Sequence, residues 1–122
     1  MFYKPDWAEA FRSTPIPHPF SFHCRDRAWK GVLLFREGVG VLCPPGRPGE
    51  FEFQRHEKVR DCFIQVEGRT VYMPKMVVYS RHAKSDAFLY CFRIESILPQ
   101  EQQTLNEVYD QLEREQQVEA RR

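Results

Sequence analysis

Trp29-Lys30-Gly31-Val32-Leu33-Leu34-Phe35-Arg36-Glu37-Gly38-Val39-Gly40-Val41-Leu42-Cys43 is the stretch that decides the fold. Trp29 to Phe35 is too short and too uniformly apolar for an amphipathic helix, and it fits a strand buried on both faces. Arg36-Glu37-Gly38 is a turn by composition, and Val39 to Cys43 resumes the apolar run in the return direction. One hairpin of this kind implies a sheet, and the residues around it supply the remaining strands.

Upstream, Phe20, Phe22 and Cys24 alternate with Ser21 and His23, a period of two that reads as a strand, and Arg25-Asp26-Arg27 is the polar turn after it. Downstream, Pro44-Pro45-Gly46-Arg47-Pro48-Gly49 is a loop. Phe51 and Phe53 alternate with polar residues and suggest a half-exposed strand. Cys62, Ile64 and Val66 repeat the pattern, with Glu67-Gly68 as a hairpin tip. Thr70 to Arg81 is the next strand, in which Pro74 marks an edge or a bulge. Ala83-Lys84-Ser85-Asp86 turns the chain into a last strand, Ala87 to Glu95.

The period then changes to that of a helix. Pro99 suits a first helical turn, and Leu105, Val108, Tyr109 and Leu112 form one apolar stripe. Burying those four side chains contributes on the order of 6–12 kcal/mol before ordering costs, so the stripe is expected to pack on something, most simply the open end or a face of the sheet. The expected fold is therefore mainly β with one C-terminal α-helix, a small antiparallel barrel of six or seven strands. The expected division is an N-terminal arm at 1–19, a barrel at 20–98 and a helix at 99–122 of the same domain. In the arm, Asp6 is placed to cap a helical turn from Trp7 to Phe11 before Pro15, Pro17 and Pro19 break it.

Composition narrows the function classes. The 122 residues allow one domain, and 42% hydrophobic with 14% aromatic content builds a core without metal or disulfides. A formal net charge of +1 lacks the footprint of a nucleic-acid coat. No segment is apolar for long enough to cross a bilayer, and Met1 to Trp7 does not read as a signal peptide. Cytoplasmic location is expected. Cys24, Cys43, Cys62 and Cys91 each sit in an apolar stretch with no Cys-x-x-Cys pair, and are expected as buried, reduced thiols. The helical segment 99–122 carries six acidic and three basic side chains, a solvated acidic face.

A search for catalytic constellations finds none. His56-Glu57 lacks the second histidine of a zinc motif, since Arg60 stands in its place. His23 and Cys24 are strand neighbours that point to opposite faces. Gly38-x-Gly40 meets Cys43 where a dinucleotide fingerprint needs glycine, and a strand where it needs a helix. Catalytic residues, metal ligands and a resident cofactor are therefore not expected. Basic residues cluster at strand ends, at Arg25 and Arg27 with Lys30, at Arg55 with Lys58 and Arg60, and at Arg81 with Lys84. Converging turns of that kind make an anion site, and small barrels also bind oligonucleotides. The nucleic-acid reading is the less favoured, and it predicts a steep salt dependence.

From Phe20 to Glu115 the order of features resembles the PilZ domain, a bacterial barrel that binds cyclic di-GMP. Leu33 to Val41 is similar to its strand–turn–strand. Val77-Val78-Tyr79-Ser80-Arg81 with Tyr90-Cys91-Phe92-Arg93-Ile94 is similar to its closing hairpin, and Ile97-Leu98-Pro99 through Leu112 to its C-terminal helix. The ligand motifs of the family depart here. Arg-x-x-x-Arg becomes Arg12-Ser13-Thr14-Pro15-Ile16, with one arginine. Asp/Asn-x-Ser-x-x-Gly becomes Leu33-x-Phe35-x-x-Gly38, which keeps the glycine alone.

Leu33 and Phe35 can make none of the polar contacts those motifs supply. The resemblance thus implies a degenerate, non-catalytic regulatory or adaptor domain in signalling tied to motility, pili or surface behaviour. It would act by binding a protein partner or a second copy. Tyr3, Trp7 and Phe11 are the candidate anchors, since aromatics dominate interface hot spots. The alternative is a cyclic di-GMP receptor that uses Arg25, Arg27 and Arg36 in place of the missing motif.

Overall fold

A computed structural model describes residues 11–44, 53–83 and 86–120. Among the described residues six strands and a helix follow one another: β1 (Ile16–Cys24), β2 (Arg27–Leu34), β3 (Gly38–Cys43), β4 (Lys58–Val66), β5 (Arg69–Ala83), β6 (Phe88–Ser96) and α1 (Pro99–Ala120). All pairings are antiparallel, and the sheet closes in the order β1-β2-β3-β6-β5-β4. Closure rests on a short seam of β1 against β4, from Ser21↔Gln65 to His23↔Phe63. It removes the exposed sheet edges that an open six-stranded sheet would carry.

Alternation along the strands fills the barrel. Phe22, Trp29, Val39, Val41, Ile64, Met73, Met76, Val78, Tyr90 and Phe92 belong to one buried cluster, which Leu105, Val108, Tyr109 and Leu112 of α1 join. The helical stripe expected from its spacing is the buried stripe, and α1 packs against β5 and β1. The intervening residues point outward, and part of that outer face is also covered. Phe11, Phe35, Leu89 and Cys91 form a second cluster, with Val32, Leu33, Leu42 and Tyr79 packed on it. The β2–β3 hairpin is thus apolar on both sides because each side has a cover.

Two tips have the backbone that tight hairpins require. Arg25 and Asp26 lie at φ 54° and 59°, and Glu67 and Gly68 at φ 50° and 73°, so both turns match the right-handed strand twist. Pro74 lies where β5 has run past the end of β6, whose pairing begins at Lys75↔Ser96. Its missing N–H is therefore of no consequence on that side.

Three details differ from expectation. β1 begins at Ile16, inside the segment read as arm, and tolerates Pro17 and Pro19 by a register slip between Pro17 and Phe20. Phe53 is in no strand: it sits at a bend and is fully buried, 5.4 Å from Trp29, 5.3 Å from Tyr90 and 5.1 Å from Phe92 between ring centroids. It plugs the barrel, and its alternation with polar neighbours imitates a strand. Phe51 and the helical turn expected at Trp7–Phe11 fall largely outside the described residues. No helix among the described residues is long and apolar enough to cross a membrane.

Candidate functional site

One end of the barrel gathers the residues before β1, the β2–β3 turn and the middle of α1. Glu37 is the centre of this arrangement. Its Oε1 accepts hydrogen bonds from the backbone N–H groups of Arg12 (2.5 Å) and Ser13 (2.8 Å), and its Oε2 accepts from Ser13 Oγ (2.7 Å). Ser13 Oγ in turn accepts from the Arg36 N–H at 2.9 Å. Two successive N–H groups and a hydroxyl converging on one carboxylate form an anion seat, and the chain fills it with its own side chain.

The neighbouring cation is also engaged. Arg36 pairs with Asp110 of α1, and its guanidinium lies 4.3 Å from the centre of the Tyr109 ring. Gln102 Nε2 donates to the Arg36 carbonyl at 3.0 Å, and Tyr109 donates to the Thr14 carbonyl at 2.6 Å. Burial pushes the Tyr109 phenol up, which keeps it protonated as that donor. Residues 12–14, the turn and α1 are thereby tied together around a groove of about 590 Å³. Phe35 is fully buried and Leu33 half-buried, both in the outer apolar cluster.

Glu37→Gln tests this seat. The amide keeps the shape and one oxygen to accept from the Arg12 and Ser13 N–H groups, but it removes the charge and sets an NH2 against Ser13 Oγ. The expected loss is about 2 kcal/mol, read from the urea midpoint. An unchanged midpoint would mean that the seat is solvated and contributes nothing.

The opposite end carries a second groove, of about 800 Å³, between the β1–β2 turn and the start of β4. Arg25, Arg27, Lys58 and Arg60 line it together with Asp26 and Asp61. Arg25 pairs with Glu57 and lies 4.9 Å from the Phe53 ring centre; Arg27 lies 4.9 Å from that of Trp29. Lys58 meets Glu95 at 3.3 Å. Arg25, Arg27 and Lys58 thus each have a partner within the chain.

The structure does not gather the three arginines of the receptor alternative into one site. Arg25 and Arg27 share the β1–β2 turn, whereas Arg36 is in the β2–β3 turn, roughly 25 Å away along β2. Of the candidate anchors, Phe11 is turned inward: it is 3% exposed and stacks on Phe35 at 4.2 Å, with Tyr79 edge-on at 6.2 Å. Tyr3 and Trp7 lie outside the described residues. No group of three metal-ligand side chains occurs among the described residues. Sequence reading missed Glu37, Ser13 and Asp110, because a charged residue in a turn or on a helix normally looks outward. The one local signal was the position of Glu37, directly before a turn glycine.

No family model matches the sequence, and no curated protein matches it. Solved structures do. The structure of YcgR in complex with c-di-GMP from Escherichia coli is 17% identical with a TM-score of 0.70, over 89% of this chain and 48% of that one. The PilZ domain of the same protein with c-di-GMP is 15% identical with a TM-score of 0.71, over 91% of this chain and 97% of that one. The Bacillus subtilis inhibitor of motility, MotI/DgrA, is 16% identical with a TM-score of 0.65, over 89% and 53%. The chain therefore spans about half of the first and third proteins and nearly all of the isolated domain. A closed six-stranded antiparallel barrel carrying one C-terminal helix, alike in fold to these structures, gives this chain a PilZ-like fold.

Proposed function

We propose that this chain is a non-catalytic regulatory or adaptor module of bacterial signalling, in motility, pilus or surface behaviour, that acts in the cytoplasm by binding a protein. On this reading it uses no cofactor and does not take cyclic di-GMP in the usual way. The occupied seat at Glu37 carries the second half of that proposal. The donors best placed to receive a phosphate are already satisfied by a carboxylate. A phosphodiester would have to displace Glu37, break the Arg36–Asp110 pair and then face Phe35 and Leu33 in place of polar groups. Two of the similar structures hold c-di-GMP and the third is an inhibitor of motility, which supports the signalling context.

The groove at the β1–β2 turn supports one second reading, a receptor that meets an anionic ligand through Arg25 and Arg27. Isothermal titration with cyclic di-GMP separates the two. The expected result is no saturable heat up to roughly 100 μM, a binding free energy weaker than about −5.5 kcal/mol. Saturable binding that disappears in an Arg25→Ala, Arg27→Ala double variant would establish the receptor reading. Saturable binding lost instead in Arg36→Ala would place the ligand at the Glu37 end and overturn the occupied-seat argument.

A further inference from the structure

All four cysteines are buried, yet they are not equivalent. The β1–β4 seam that closes the barrel is paired at Ser21↔Gln65, Phe22↔Ile64 and His23↔Phe63. Continuing that register by one residue sets Cys24 opposite Cys62. Both side chains point into the barrel, as part of the same cluster as Phe22 and Ile64. Directly opposed residues of antiparallel strands have Cα atoms about 4.5–5.5 Å apart, within the range a disulfide spans. Cys43 and Cys91 have no such relation: Cys43 is opposite Phe88, Cys91 is opposite Gly40, and they belong to different clusters.

We propose that Cys24 and Cys62 are a redox modification site, a thiol pair that a small peroxide converts into a disulfide stapling β1 to β4. Three features of the chain support it. The first is their setting: the two thiols are perturbed in opposite senses, Cys24 downward by the neighbouring Cys62 thiol and by Arg25 against burial, Cys62 upward by Cys24 and by burial. Cys62 Sγ donates to the Arg60 carbonyl at 3.7 Å, whereas Cys24 stands next to the Arg25 cation. We therefore assign Cys24 as the nucleophile and Cys62 as its partner. Second, Cys24 is 2% exposed and borders the groove at the β1–β2 turn, the side from which a small oxidant would approach. Third, backbone pairing stops one residue short of the two cysteines, so the staple forms where the closure of the barrel is thinnest.

The chemistry balances with hydrogen peroxide as the oxidant. The Cys24 thiolate attacks one peroxide oxygen and the O–O bond breaks, giving a sulfenic acid and, after protonation of the leaving hydroxide, one water. The Cys62 sulfur then attacks the Cys24 sulfur, the S–O bond breaks, and the hydroxyl leaves as a second water with the Cys62 proton. Both thiols are oxidised and one peroxide is reduced. A dithiol reductant reverses the bond by exchange.

The test uses the full chain, folded and reduced. It is treated with hydrogen peroxide, alkylated and digested for mass spectrometry. The expected product is an intramolecular Cys24–Cys62 linkage that a dithiol removes, with Cys43 and Cys91 still alkylated after unfolding. The oxidised protein should melt about 10 °C higher than the reduced one, since the staple closes a long loop in the unfolded chain. Wild-type linkage mapping needs no variant to fold. Cys24→Ala should leave Cys62 without a disulfide partner and unoxidised at the same dose. Linkage to Cys43 or Cys91, linkage only between chains, or four intact thiols after treatment would each overturn the proposal.

Discussion

Replacing Gly38 by alanine is expected to cost about 3 kcal/mol or more of folding stability, a large share of what a domain of this size possesses. Gly38 opens β3 and stands opposite Arg93 of β6. A Cβ built there would lie 1.9 Å from the Phe92 carbonyl oxygen and 2.8 Å from the Phe11 ring. The first of these is backbone in a paired strand. It cannot rotate away, so β3 and β6 must part, or the hairpin must shift and take Phe11 with it. The effect is steric and not conformational, because Gly38 has no left-handed φ. Gly68→Ala is the contrast. At φ 73°, with nothing within 4 Å of its added Cβ, it should lose about 1 kcal/mol through backbone strain alone. Urea denaturation of both variants checks the pair. A Gly38→Ala midpoint no lower than that of Gly68→Ala would show that the hairpin yields easily and that close approach is not why glycine stands here.

Gly38 is also the one residue this chain shares with the second motif of the family it resembles, and the close approach gives that glycine a physical reason that needs no ligand. The barrel requires the backbone of β3 to pass against Phe92 whether or not a nucleotide is bound. Nearby, Leu33 and Phe35 are apolar and belong to the packing of the outer buried cluster.

Features carried by local periodicity were legible in the sequence. The alternation of Phe20, Phe22 and Cys24, the tip at Glu67-Gly68, and the stripe from Leu105 to Leu112 all have their expected roles. Features created by chain closure were not. Glu37 receives hydrogen bonds from a backbone 24 and 25 residues upstream, so nothing beside it in sequence announces that role. Cys24 faces Cys62 because β1 meets β4, a pairing that depends on the barrel closing and that no spacing encodes. Phe53 misled for the opposite reason. Its local pattern was strand-like, but the barrel interior took the ring and left the backbone irregular.

Phe11→Ala is expected to lose about 3–4 kcal/mol, the second large effect. The ring covers the outer face of the β2–β3–β6 sheet, stacked on Phe35 and packed above Gly38, and it is nearly as buried as any residue inside the barrel. Removing it leaves a cavity that backbone held by Glu37 cannot collapse to fill. It also exposes Phe35 with Leu89 and its neighbours, so the variant should bind a hydrophobic dye and self-associate at high concentration. Arg12→Ala is the matched control. Its contact with Glu37 comes from the backbone N–H, which alanine retains, so its midpoint should move by less than about 0.5 kcal/mol. Should Phe11→Ala fail to fold, Phe11→Leu keeps most of the volume and should lose about 1 kcal/mol. A loss below about 1 kcal/mol in Phe11→Ala itself would mean that the segment leaves the sheet at little cost. Phe11 would then be released to serve as the exposed partner anchor that its position in the sequence first suggested.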